Sequence, residues 1–182
     1  MKHVFSARHL QLLGFARDGS QVGWEETLSQ FERLMELTNG VGGPNPLQFS
    51  ARATLRFDAS GQEQLWLHLA GAVTLPLVCQ RCLRSVDLPV NFARDFRFVG
   101  SEDQAQAQDE HCEEDLLVMV QVLNLQELVE DELLLALPPT PMHAICPEPP
   151  VFSVADPDFD VVGGATEKPF AVLGKLKKRN PQ

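Results

Sequence analysis

Between Leu47 and Phe98 the chain repeats with a period of two. Leu47, Phe49, Ala51, Ala53, Leu55 and Phe57 alternate with Gln48, Ser50, Arg52, Thr54, Arg56 and Asp58. Successive side chains of a strand point to opposite faces, so this pattern demands a strand with one dry face and one wet face. Asp58 to Gln62, with Gly61, supplies a turn. Leu65, Leu67, Leu69, Val73 and Leu75 then line one side of a second strand, in which Gly71 suggests a bulge or bend. Val86, Leu88, Val90, Phe92, Phe96 and Phe98 line a third, where Pro89 calls for an edge or a bulge. Three alternating strands joined by short connections predict an antiparallel β meander or a partly open β barrel.

Helical spacing flanks this core. Trp24, Leu28, Phe31 and Met35 recur as an amphipathic helix would space them, so residues 24–38 are expected to be helical, ending at Asn39-Gly40. Val41 to Pro46 is a Gly/Pro connector. Residues 101–115 read as an exposed loop or short helix, and Leu116 to Val122 as one more strand. Asn124 with Glu127 starts a second helix, which Pro138-Pro139 ends after Leu137. The expected fold is therefore α+β, two main helices on the sheet, with an apolar fraction of 44% to fill one core. The layout divides into a single α+β domain at 1–146, a Pro/Gly-rich linker at 147–168 and a basic docking segment at 169–182, the last two forming a mobile C-terminal tail.

Charge is unevenly distributed. The formal net charge is −10, and from Ser101 to Glu132 there are many carboxylates and no Lys or Arg. Lys168, Lys175, Lys177, Lys178 and Arg179 reverse the sign at the end. Such a body repels polyphosphate in general, while the tail could touch it. No apolar run approaches membrane-spanning length, and Arg8 and His9 interrupt any signal-peptide pattern. Four unevenly spaced cysteines do not make a disulfide scaffold. The expectation is a cytoplasmic protein with no membrane partner.

Cys79-Gln80-Arg81-Cys82 is the most specific local motif. Two thiolates at this spacing suit half of a tetrahedral zinc site, and His143-x-x-Cys146 offers the other half. A structural zinc ion on Cys79, Cys82, His143 and Cys146 is the single cofactor these residues suggest. A redox pair would need a helix after the first cysteine, and a strand pattern follows instead. Hydrolase, P-loop and zinc-protease motifs are absent, and no small-molecule substrate is expected. Glu130-Asp131-Glu132 point in different directions on a helix and read as a solvated face. Arg81 and Arg84 on the cysteine turn, with Arg94, Arg97, Arg52 and Arg56, suggest a positive patch whose existence depends on strand order.

The turn Leu77-Val78-Cys79-Gln80-Arg81-Cys82 resembles the hallmark of the YceD family, the large ribosomal RNA subunit accumulation proteins. Val129-Glu130-Asp131-Glu132-Leu133-Leu134-Leu135-Ala136-Leu137-Pro138, followed by Pro141 and His143, is similar to that family's second signature. Residues 168–177, Lys-Pro-Phe-Ala-Val-Leu-Gly-Lys-Leu-Lys, resemble its closing motif. The resemblance implies a non-enzymatic role in synthesis, processing or stability of large-subunit (23S) ribosomal RNA in the bacterial cytoplasm, and no catalytic residue. The expected partner is then a large-subunit rRNA precursor or a large-subunit ribosomal protein. Arg81, Arg84, Lys175, Lys177, Lys178 and Arg179 are the candidates for contact with RNA or with the particle. The alternatives are a zinc-binding module or metalloenzyme built on the Cys₃His set, and an acidic adaptor holding a basic ribosomal protein.

Overall fold

In the computed structural model, residues 5–58 and 60–148 are described. The three alternating segments are long antiparallel strands: β3 Pro46–Phe57, β4 Glu63–Val78 and β5 Ser85–Val99. Ahead of them lie β1 Leu10–Gln11, α1 Leu12–Asp18, β2 Gln21–Thr27 and α2 Glu32–Leu37. After them come α3 Glu102–Asp109, β6 Asp115–Val118, β7 Val122–Leu123 and α4 Leu125–Leu135. The main sheet has the order β2-β3-β4-β5-β6 and is open, while β1 and β7 form a separate two-stranded ribbon. The fold is thus α+β and the meander reading holds, without barrel closure. β6 departs from it by running parallel to β5, with Phe96 opposite Asp115. That direction requires a crossover, and α3 lies within it.

Period two decides which face is dry. Leu47, Phe49, Ala51 and Ala53 of β3 are buried, as are Leu65, Leu67, Leu69, Val73, Leu75 and Leu77 of β4. Leu12 and Phe15 of α1 and Leu125, Val129 and Leu133 of α4 join the same buried cluster. Full burial of each such side chain contributes about 1.5–3 kcal/mol. Gln48, Arg52 and Arg56 of β3 and His68, Ala72 and Thr74 of β4 stay exposed on the other face.

Three readings change. Residues 24–38 are not one helix: Trp24 lies in β2 opposite Phe49, and a 3₁₀ turn at Leu28–Gln30 precedes the short α2. Trp24 stacks on Phe49 with ring centroids 5.3 Å apart and donates its indole N–H to the Phe5 carbonyl at 3.2 Å. A strand, a turn and a short helix bring the same residues to the core, Leu28 and Phe31 buried and Trp24 and Met35 half-buried, so tertiary contact overrides the spacing. Gly71 makes no bulge; it stays in register between Phe49 and Phe92. A Cβ there would meet Phe92 Cε1 at 2.6 Å, so glycine admits the ring. Pro89, opposite Thr74, lies outside the stretch of β5 that pairs with β6, which is the edge position expected of it.

The Glu130-Asp131-Glu132 run is not uniformly solvated, since Glu130 and Glu132 are both buried. Glu130 Oε1 accepts from the backbone N–H groups of Arg33 at 2.8 Å and Leu34 at 3.1 Å, and Oε2 takes Arg33 Nε at 3.1 Å. The carboxylate of α4 therefore satisfies two of the orphan donors that open α2. Glu132 faces Arg94 at 3.5 Å, and burial raises its pKa above the usual carboxylate range. Among the described residues, no helix is long and apolar enough to cross a membrane. The linker at 147–168 beyond Glu148 and the docking segment at 169–182 lie outside the described residues.

Candidate metal centre

The β4–β5 hairpin ends in the cysteine turn. Val78 and Ser85 are the last paired residues, Cys79 N–H donates to the Arg84 carbonyl at 2.8 Å, and Leu83 N–H donates to the Cys79 carbonyl at 2.8 Å. Leu83 closes the turn at φ 59, a left-handed conformation that costs an L residue with a Cβ about 1–2 kcal/mol. No helix follows Cys79, so the dipole arrangement of a redox pair is missing.

The second pair arrives from the far end of α4. That helix ends at Leu135, two residues short of the Leu137 expected, ahead of Pro138-Pro139, and the returning chain docks on the turn through Gln80 N–H to the Pro141 carbonyl at 2.8 Å. Arg81 completes the junction. Its Nη2 donates to the His143 carbonyl at 2.9 Å and its Nε to Cys146 Sγ at 3.0 Å. His143 N–H points at Cys79 Sγ from 3.5 Å.

Cys79, Cys82, His143 and Cys146 consequently converge, with their ligand atoms all within 4.8 Å of one another. Cys79 Sγ lies 3.9 Å from Cys146 Sγ, and Cys82 Sγ lies 3.4 Å from His143 Nδ1. Cys79 and Cys146 are buried, Cys82 and His143 half-buried. This Cys₃His cluster can hold a metal ion, and four is the number of ligands that a tetrahedral zinc shell takes.

Electrostatics favour the thiolate where the backbone converges. Burial alone would raise the Cys79 pKa, but the N–H groups of Cys82, His143 and Arg81 outweigh it and bring the thiol down to about 5. At Cys82 the Arg84 backbone N–H acts to lower the pKa, yet burial and the neighbouring Cys146 and Cys79 sulfurs leave it raised. Arg81 is held more firmly protonated by its hydrogen bond to Cys146.

The four cysteine and histidine candidates are thus brought together. Arg81, read as a contact for RNA, directs its Nε and Nη2 onto the second pair; its sulfur contact had no signal in the sequence, because it depends on where Cys146 lands. Arg84 sits at the base of the turn, its carbonyl holding Cys79. Lys175, Lys177, Lys178 and Arg179 lie outside the described residues. The single positive patch of six arginines does not form: Arg94 pairs with Glu132, and the buried Arg97 with Glu114 and Gln108. Cys112 stays apart, with Sγ near the carbonyls of Asp109 and Glu114.

Residues 67–177 match the family described as large ribosomal RNA subunit accumulation protein YceD. That span holds both halves of the metal centre and all three motifs. The chain is also 29% identical over 156 residues, covering 83% of this chain and 84% of the relative, to the large ribosomal RNA subunit accumulation protein YceD of Haemophilus influenzae. No solved structure matches. With the match extending over more than half of its length, the chain belongs to the YceD family.

Proposed function

We propose that this chain is a non-enzymatic cytoplasmic factor that supports accumulation of large-subunit (23S) ribosomal RNA, with a structural zinc ion in its Cys₃His cluster. The family match over residues 67–177 carries the first part. Depleting the protein from its host should lower large-subunit RNA relative to small-subunit RNA. An unchanged ratio with normal subunit sedimentation would reject the role.

The zinc reading rests on distances. Tetrahedral zinc with ordinary bond lengths sets sulfur pairs about 3.8 Å apart and sulfur–nitrogen pairs about 3.6 Å apart. The 3.9 Å between Cys79 and Cys146 and the 3.4 Å between Cys82 and His143 Nδ1 agree with both. Bound there, zinc would supply cohesion, tying the β4–β5 hairpin to the segment after α4. Cys79, Cys82, His143 and Cys146 would hold it, Arg81 would offset the thiolate charge, and no ligand position stays open for substrate.

A further inference from the structure

Within the described residues every Lys or Arg is an arginine, and most already face an anion or are otherwise engaged. Arg33 holds Glu130 and Asp131, Arg94 holds Glu132, Arg97 holds Glu114, and Arg81 holds Cys146. Arg8 donates to the amide oxygens of Gln126 and Gln30. Arg17 on α1, and Arg52 and Arg56 on β3, have no carboxylate or thiolate partner among the described residues; of these, Arg52 and Arg56 share one surface, both exposed on the wet face of β3. Four residue steps along the strand set them about 13 Å apart.

Their surroundings keep this charge available. Arg52 lies between Gln21 on β2 and His68 on β4, with no acid directly opposite. Asp95 accepts from His68 at 2.9 Å, and Glu25 from Gln48 at 2.7 Å. The Asp58 carboxylate turns into its own hairpin, accepting from the backbone N–H groups of Ser60 and Gln62. The exposed Arg56 lies over the Trp66 ring, with its guanidinium carbon 4.6 Å from the centroid, a cation–π contact that holds the side chain against the indole. Gln21, Arg52, Thr54, Arg56, His68 and Asp95 line a depression of about 560 Å³.

We infer that this outer face of β3 and β4 binds single-stranded RNA, with Arg52 and Arg56 contacting phosphates and the Arg56–Trp66 stack offering a platform for one base. The inference rests on the rRNA role proposed above and gives it a surface. Two uncompensated cations beside a planar stack complement a phosphate strand with exposed bases; an acidic peptide would have no use for the stack. Thr54 lies between the two arginines, leaving space for the strand to pass. The net charge of −10 disfavours polyanions over the body as a whole, so a face with two neighbouring cations stands out from it.

The test uses the full-length protein and a short fluorescein-labelled oligouridylate, with affinity measured across a salt series. Arg52→Gln/Arg56→Gln should weaken binding roughly tenfold and reduce the salt slope by about 1.4, the value for two lost phosphate contacts on a single strand. Arg52→Lys/Arg56→Lys should keep the slope yet bind more weakly than wild type, because lysine has no plane to stack. Unchanged affinity and slope in the glutamine variant would overturn the inference, as would an undiminished lysine variant. So would intact oligouridylate binding alongside lost particle association, which would assign the face to a protein partner. The rRNA ratio on depletion is read in cells and oligouridylate binding in the purified protein, so failure of one is distinguishable from failure of the other.

Discussion

The two turns at either end of β4 are built on opposite plans. The β3–β4 turn is local: Asp58 N–H donates to the Gln62 carbonyl, Gly61 N–H to the Asp58 carbonyl, and the Asp58 carboxylate accepts from Ser60 N–H, Ser60 Oγ–H and Gln62 N–H. Gly61 takes the left-handed position at φ 82, which glycine adopts freely. The β4–β5 turn places Leu83 there instead and depends on Pro141, His143 and Cys146, more than fifty residues away. A turn that accepts a strained leucine and points two thiols at a distant segment is shaped by what it gathers. The other is shaped by its own backbone.

That contrast can be broken by experiment. The largest effect belongs to Cys79→Ser, which should abolish stoichiometric zinc and destabilise the purified protein by on the order of 4 kcal/mol or more in denaturant unfolding. Wild-type zinc content and an unshifted midpoint would show that the distal turn, too, is self-sufficient. Exchanging turn chemistry gives a smaller pair of effects. Gly61→Ala should cost about 1 kcal/mol, since nothing crowds its Cβ and the positive φ alone opposes it. Leu83→Gly should gain about 0.5 kcal/mol by relieving the same strain, because the 75% exposed side chain gives up little packing. Equal signs for the two would erase the distinction drawn between the turns.

The smallest effect concerns acid. The Ser60 hydroxyl, with the backbone N–H groups of Gln62, Ser60 and Gly61, holds the Asp58 pKa below the ordinary carboxylate range. The stability it contributes is present above the unfolded pKa of about 4 and is lost as pH falls through the depressed folded value. Amide exchange in the β3–β4 turn should therefore accelerate in that acidic window. Asp58→Asn should flatten this dependence, and a variant retaining the wild-type profile would assign the acid response elsewhere.

Legibility followed the range of the interactions. Alternation from Leu47 to Phe98 marked three strands and their dry face, because a side chain's face depends only on its parity. Asn124 announced α4 for a similar reason: its side chain accepts from Gln126 and Glu127 N–H within one turn. Trp24 misled, since Leu28, Phe31 and Met35 can reach the core from a helix or from a strand, turn and short helix alike. The Cys₃His candidates were visible as two short spacings, but nothing local showed that they meet.

The sequence by itself determined the α+β class, the buried face of the sheet, the candidate Cys₃His set and the family, since these rest on periodicity, residue chemistry and motif order. The tertiary structure alone decided that β6 runs parallel, that Glu130 caps α2, that Arg81 serves a sulfur, and that Arg52 and Arg56 have no anionic partner among the described residues. Each of these depends on partners far apart in the chain, whose meeting is set by the packing of α4 and the strand order rather than by any neighbouring residue.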